Sequence, residues 1–270
     1  MMQLDLIDIL SKISLLNRDD GKEFTITDRI DQISNILKKS EYSLIKAGKL
    51  FHLYVKKSVE DLKNTPAVVV STHVDCQKKI TKCFSERKDD GTLLGTYDNA
   101  ATNAAILSLM LYGSLPENVV VAFTGDEEED SKGARKLVSF LKKNDIRIKH
   151  IFVLDVTDRG WNEKCDFTVE NNFWHDDYGE KIVSCAVDSG YEWRFVPSDP
   201  AEIPAFVPDS KRIYREATMD ESWEYDDEDM NCCSICVPVL GEMHSNEGVL
   251  MREEGFRRYT EVLEGVLGIV

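Results

Sequence analysis

Four short runs of apolar, mostly β-branched residues constrain this chain more than anything else in it. They are Ala67-Val-Val-Val-Ser71, then the stretches at 119–123, 151–154 and 235–240. None alternates apolar with polar, so each reads as a strand buried on both faces. Between the first and second runs lies 99–112, rich in Ala and Leu and ended near Gly113; between the second and third lies 131–143. Both have the length and composition of helices. Buried strands alternating with helices predict an α/β fold with a mainly parallel, mixed sheet sandwiched by helices.

The remaining segments are read around that frame. Leu4, Ile7, Leu10, Ile13 and Leu16 recur at helical spacing, so the chain is expected to open with a helix. A second helix fits 26–38, with Thr27 or Asp28 near its start. Residues 43–45 and 50–55, separated by a stretch holding Gly48, read as a hairpin. The last apolar run extends back to Cys232, and 249–267 reads as a long closing helix. The interval 156–232 is long for a loop, so short strands and a helix are expected there, forming part of a cleft wall. There is no internal repeat and no linker-like stretch. A chain of 270 residues with this pattern is expected to form one domain, 1–270.

Charge excludes some functions. With 49 acidic against 33 basic residues the formal net charge is -16, a field that repels phosphate backbones and disfavours nucleic-acid binding. The seven cysteines (Cys76, Cys83, Cys165, Cys185, Cys232, Cys233 and Cys236) are odd in number and irregularly spaced, which does not describe a disulfide framework. Cys233 and Cys236 form a lone CxxC inside an apolar run, where buried reduced thiols are expected. The first residues lack the basic and apolar regions of a signal peptide, and no apolar run approaches a membrane span. A cytoplasmic location, with no membrane partner, is the expectation.

Ligands of α/β sheets gather at the carboxyl ends of the strands. Thr72, His73, Val74 and Asp75 follow the first run, and Thr124 to Asp130 follow the second. Asp155 follows the third; Gly241, Glu242, Met243 and His244 follow the fourth. Asp98 opens the helix between the first two. Taken singly, these residues have ordinary explanations. Asp98 suits a helix N-cap, Asp155 a turn, the run Asp126–Asp130 a helix start, and His244 a loop. Jointly they place His73, Asp98, Glu128, Asp155 and His244 on one edge. Imidazole and carboxylate are the donors that zinc accepts where it keeps an open coordination position.

The strings Ser71-Thr-His-Val-Asp75, Tyr97-Asp-Asn-Ala100, Phe123-Thr-Gly-Asp-Glu-Glu-Glu-Asp-Ser-Lys-Gly-Ala134, Leu154-Asp155 and His244-Ser-Asn-Glu247 resemble the co-catalytic two-zinc exopeptidase superfamily. It comprises aminopeptidases, carboxypeptidases and related amidohydrolases, and its motifs occur here in family order across most of the chain. The resemblance implies the zinc exopeptidase (phosphorylase/hydrolase-like) fold. It further implies two divalent ions, zinc with cobalt or manganese as substitutes. His73 and Asp155 would hold the first ion, Glu128 and His244 the second, and Asp98 would bridge them. Glu127 would be the general acid/base, and Asp75 would fix the tautomer of His73. The register among Glu127, Glu128 and Glu129 follows the family glycine five residues after the ligand glutamate, which is Gly133.

His73 and Asp98 are 25 residues apart and Asp155 and His244 are 89 apart, which leaves no room for a separate lid or dimerisation domain. The chain therefore resembles the minimal aminopeptidase branch, with a small peptide or aminoacyl compound as the implied substrate; oligomeric state is not legible. The alternatives are an N-acyl amino acid deacylase or carboxypeptidase-type amidohydrolase, in which Arg194, Lys211, Arg212 or Arg215 would recognise a substrate carboxylate. Glutaminyl cyclisation on one metal is a third, and a non-catalytic binding protein on the same fold a fourth.

Overall fold

In the computed structural model, residues 5–14, 26–173, 178–197 and 207–268 are described. Helices α1 (Leu6–Ser14) and α2 (Ile26–Leu37) precede the hairpin β1 (Ser43–Ala47) and β2 (Phe51–Val55). Leu4 and Leu16, the expected ends of the first helix, lie outside the described residues, as do the side chains of Thr27 and Asp28. Then follow α3 (Val59–Asn64), β3 (Ala67–His73), β4 (Ser85–Arg87), β5 (Thr92–Gly95), α4 (Ala100–Tyr112), β6 (Val119–Thr124), α5 (Glu127–Asp130), α6 (Lys132–Lys143) and β7 (Ile148–Thr157). The interval 156–232 holds β8 (Phe167–Phe173), α7 (Tyr178–Ser189), β9 (Trp193–Val196) and α8 (Ser222–Asp226), the short elements expected of it. The chain closes with β10 (Cys232–Leu240), β11 (Val249–Arg252) and α9 (Glu253–Gly268).

The strands form one 11-stranded sheet in the order β1-β2-β6-β3-β7-β10-β11-β5-β4, with β8 attached to β10 and β9 to β8. The four apolar runs are its heart. β6, β3, β7 and β10 are adjacent and mutually parallel, and antiparallel strands flank them. Helices cover both faces. Val68 and Val70 pack with α4 and α9 in the larger core, while Val69, Val120 and Ile151 pack with α6 in the smaller one. The hydroxyl of Tyr259 on α9 donates to the carbonyl of Ile235, fixing that helix over β10 at 3.0 Å.

The topology creates a site. From β3 the chain crosses to β6 on one side; from β7 it proceeds to β10 on the other. Connections leaving neighbouring strands in opposite directions open a crevice at their carboxyl ends, here between β3 and β7.

Several expectations are corrected. The closing helix begins at Glu253, not Val249. Val249 and Met251 are buried and the residues between and after them are not, a period of two that pairs β11 with β5. Asp155 lies inside β7, not in a turn after it, and His73 is the last residue of β3. Asp98 is not an N-cap: Asn99 occupies that position and makes no side-chain cap bond. Cys233 packs in the larger core and neighbouring Cys232 in the smaller, so an odd spacing along β10 sends Cys233 and Cys236 to opposite faces. All seven cysteines are free.

Candidate metal centre

β3 delivers His73 and β7 delivers Asp155 to the crevice. Their strands are held in parallel register, with Ser71 opposite Val153, so residues two further along emerge side by side. His73 Nε2 lies 3.6 Å from Asp155 Oδ1 and 3.1 Å from Asp98 Oδ1. Asp98 precedes α4, and α4 supports this corner: Asn103 donates to the carbonyl of His73 at 2.7 Å, and Asn99 to that of Leu154 at 2.7 Å.

The second carboxylate oxygen of Asp98 faces the other way. Asp98 Oδ2 lies 3.1 Å from His244 Nε2, which in turn lies 3.2 Å from Glu128 Oε2. Glu128 sits on the single turn of α5, and His244 on the connection from β10 to β11. Two glycines permit these loops. A Cβ on Gly133 would lie 2.5 Å from the carbonyl oxygen of Gly125, so α6 begins against the segment leading to α5 only because position 133 has no side chain. Gly248, at φ +73, presses against the carbonyl of Gly95 and anchors the far end of the His244 loop.

The structure thus brings together every residue singled out from the sequence: His73, Asp75, Asp98, Glu127, Glu128, Asp155 and His244. All of them but Asp75 fall in three-residue donor clusters, each with ligand atoms within 4.8 Å of one another. One is His73, Asp98 and Asp155; another is Asp98, Glu128 and His244, so Asp98 is common to both. Glu127 reaches His73 Nε2 at 3.8 Å, and Asp75 stands 3.4 Å from the far ring nitrogen. Asp75 also accepts from the amide of Glu128 at 3.3 Å, tying the two clusters together.

Electrostatics show what this cluster needs. Burial pushes the carboxyl of Asp155 up to about 6, with Asp98 adding to the shift. Burial, again reinforced by Asp98, pushes Glu128 up to about 8. Glu127 is held well above the carboxylate range by burial and by Asp155 and Asp98, against the opposing pull of His73. Burial disfavours the imidazolium of His73, but Glu127, Asp155, Asp75 and Asp98 outweigh it and raise that group too. Protons are thus favoured on Asp155, Glu127 and Glu128, while at Asp98 burial is outweighed by His244 and His73, which hold it below the carboxylate range. Divalent cations would discharge the same repulsion, and the imidazole–carboxylate donor set fits them.

Sequence reasoning did not reach several neighbours. Gln77 bonds to Glu128 twice, and Asn246 ties down the loop of His244. Glu221, 1% exposed, accepts from Ser71 Oγ beneath His73 at 2.7 Å, and burial pushes it up to about 7. Of the basic residues considered for carboxylate recognition, Arg194 and Lys211 pair with Glu192, and Arg212 pairs with Asp209. Arg215 lines a polar cavity of about 530 Å³ beyond β7, together with Asp158, Arg159 and Glu216.

A switch-point crevice lined by imidazoles and buried carboxylates defines a metal-dependent hydrolase. The chain matches the model of Peptidase family M20/M25/M40 over residues 69–239, well over half its length, and belongs to that family; it is a metallopeptidase by class. No curated protein matches it. Among solved structures it is similar to the aminopeptidase APDkam598 from the archaeon Desulfurococcus kamchatkensis, at 10% identity and TM-score 0.70 over 98% of this chain and 95% of that one. It is also similar to the Pyrococcus horikoshii TET1 peptidase, at 12% identity and TM-score 0.65 over 97% and 98%. BSAP, a zinc aminopeptidase from Bacillus subtilis, gives 13% identity and TM-score 0.55 over 80% and 48%. At such identities the likeness establishes the fold alone. None of the described helices is long and apolar enough to cross a membrane.

Proposed function

We propose that this chain is an aminopeptidase that removes N-terminal residues from small peptides, working as a single catalytic domain with two divalent ions, zinc in the first instance. The observation that carries the two-ion reading is the pair of donor clusters sharing Asp98. His73, Asp98 and Asp155 would hold one ion; Asp98, Glu128 and His244 would hold the other. Bound there, the ions would supply Lewis-acid polarisation of the scissile carbonyl and of the attacking water.

The chain's own residues do the rest. Glu127 stands beside both clusters, 3.8 Å from His73 Nε2 and grouped with Glu128. It accepts the proton of the attacking water and returns it to the departing amine. Asp75 orients the ring of His73 through the nitrogen that faces away from the cluster. The aminopeptidase reading is supported by the structural neighbours that bear that name. It is also supported by the engagement of Arg194, Lys211 and Arg212 with acidic partners; Arg215, at the cavity beyond β7, is the candidate that the carboxylate reading keeps.

The test is metal content of the purified chain together with amine release from aminoacyl and N-acyl amino acid substrates. Two ions per chain and turnover of free-amine substrates are expected. Turnover of N-acylated substrates alone would move the chain to the deacylase and carboxypeptidase reading. No turnover after addition of zinc, cobalt or manganese would refute the catalytic reading.

A further inference from the structure

The loop from Cys76 to Cys83, between β3 and β4, contacts two members of one donor cluster, Asp98 and Glu128, and the loop that carries the third, His244. At its start, Cys76 Sγ donates to the backbone carbonyl of Asp98 at 3.5 Å. The amide of Gln77 donates to Glu128 Oε1 at 3.2 Å, and its side-chain amide to the Glu128 carbonyl at 3.3 Å. Further along, Asn246 is gripped from three directions. Its Oδ1 accepts from the amide of Thr81 at 2.9 Å and from the Thr81 hydroxyl at 3.2 Å, and its Nδ2 donates to the carbonyl of Lys79 at 3.2 Å. Asn246 follows His244 by two residues, so this grip sets where the imidazole stands.

The loop has the means to be rigid. Cys76, Ile80 and Cys83, all buried, form a small apolar cluster of their own, and the amide of Ile80 closes a turn onto the carbonyl of Gln77 at 3.0 Å. Outward-facing polar groups on a self-packed loop form a template against which Glu128 and His244 are set. His73 and Asp155, in contrast, are set by the ladders of β3 and β7.

The geometry points to Gln77 and Asn246 as positioning residues for the second ion: the 76–83 loop is a clamp that sets the affinity of the Asp98–Glu128–His244 site while leaving that of the His73–Asp98–Asp155 site unchanged. This rests on the two-ion reading above. Loss of an outer hydrogen bond to a ligand weakens metal binding by roughly 10–100-fold, so the effect falls in a measurable range.

The experiment is a zinc titration of the chelator-stripped full chain in competition with a chromophoric chelator. In Asn246→Ala, which acts on His244 through the chain and not through a hydrogen bond to it, the second dissociation constant is expected to rise roughly 10-fold, the lower end of the range for a lost direct bond, with the first unchanged within about twofold and turnover restored by excess zinc. Gln77→Ala keeps the backbone contact to Glu128 and shifts the second constant less, in the same direction. Thr81→Val loses only the hydroxyl contact and guards against misfolding of the other two. An unaltered chain that binds two ions, with variants that bind the second as tightly, overturns the clamp. Equal weakening of both ions overturns it as well. An unaltered chain that takes a single ion refutes the two-ion reading itself, and that outcome is visible without any variant.

Discussion

The two halves of the candidate centre are built from different materials. His73 and Asp155 stand on adjacent parallel strands, with side chains 3% and 14% exposed. Glu128 and His244 stand on a single helical turn and a loop, and His244 is 38% exposed. Moving the first pair would break ladder bonds in the middle of an 11-stranded sheet. Moving the second pair would break only a few side-chain hydrogen bonds. Loops open at lower free-energy cost than central strands. One half is therefore placed by the fold, and the other by local chemistry laid on top of it.

Glu127 reaches across both halves, and its loss is the largest expected effect. Glu127→Gln should lower kcat by roughly 10²–10⁴-fold while metal content stays the same. Loss of metal along with activity would make Glu127 a structural member of one half, not the shared base. The imidazoles then separate the halves directly. His73→Ala leaves Asp155 buried without its imidazole and Asp98 with only that of His244, at a cost of about 3 kcal/mol in urea unfolding of the metal-free chain. His244→Ala removes a partly exposed group from the buried carboxylates of Asp98 and Glu128 and should cost less, on the order of 1–2 kcal/mol. Equal costs would break the contrast.

Much of the strand half was legible because apolar runs announce buried strands, and polar residues at their carboxyl ends announce a site. Even so, the apolar runs stop before the strands do. β3 continues through Thr72 to His73, and β7 through Asp155 to Thr157. These last polar residues are stabilised by the site and the ladder, and hydrophobic patterning does not report on either. The loop half was legible only in its ligand types. Gln77 and Asn246 carry no periodicity and look like any polar surface residue; only their partners single them out. Other signals were present but unread. Ser58 and Asp61 form a reciprocal capping box that starts α3. Asp90-Gly91, with Gly91 at φ +82, turns the β4–β5 hairpin. β11 was hidden because its alternation runs straight into the amphipathic start of α9.

The strand half also has a titrating neighbour. Glu221 accepts from Ser71 on β3, and its folded pKa, raised by burial to about 7, lies above that of an ordinary glutamate. A carboxyl with a raised folded pKa binds more protons in the folded state. Its contribution to stability is therefore lost as pH rises from the ordinary glutamate range through about 7. At fixed metal content, Glu221→Gln should be more stable relative to the unaltered chain at pH 8 than at pH 5, by an amount on the order of 1 kcal/mol. A pH-independent difference in urea midpoints would show that Glu221 does not titrate in this range.

The smallest effect tests what kind of chemistry holds the loop half. Lys79 lies 3.4 Å from Glu242, bridging the 76–83 loop to the His244 loop just as Asn246 does. Both partners are well exposed, at 57% and 74%, so water and salt screen the attraction and ordering two long side chains offsets most of it. The hydrogen bonds between Asn246 and the backbone of Lys79 and Thr81, though exposed as well, are directional and made by a short side chain, so they fix a geometry that an ion pair of two long side chains does not. Lys79→Ala should therefore leave second-ion affinity within about twofold of the unaltered chain and change stability by under about 0.5 kcal/mol. A large, salt-sensitive loss of the second ion in Lys79→Ala would mean that charge across the two loops, not the hydrogen bonds of Asn246, sets the position of His244.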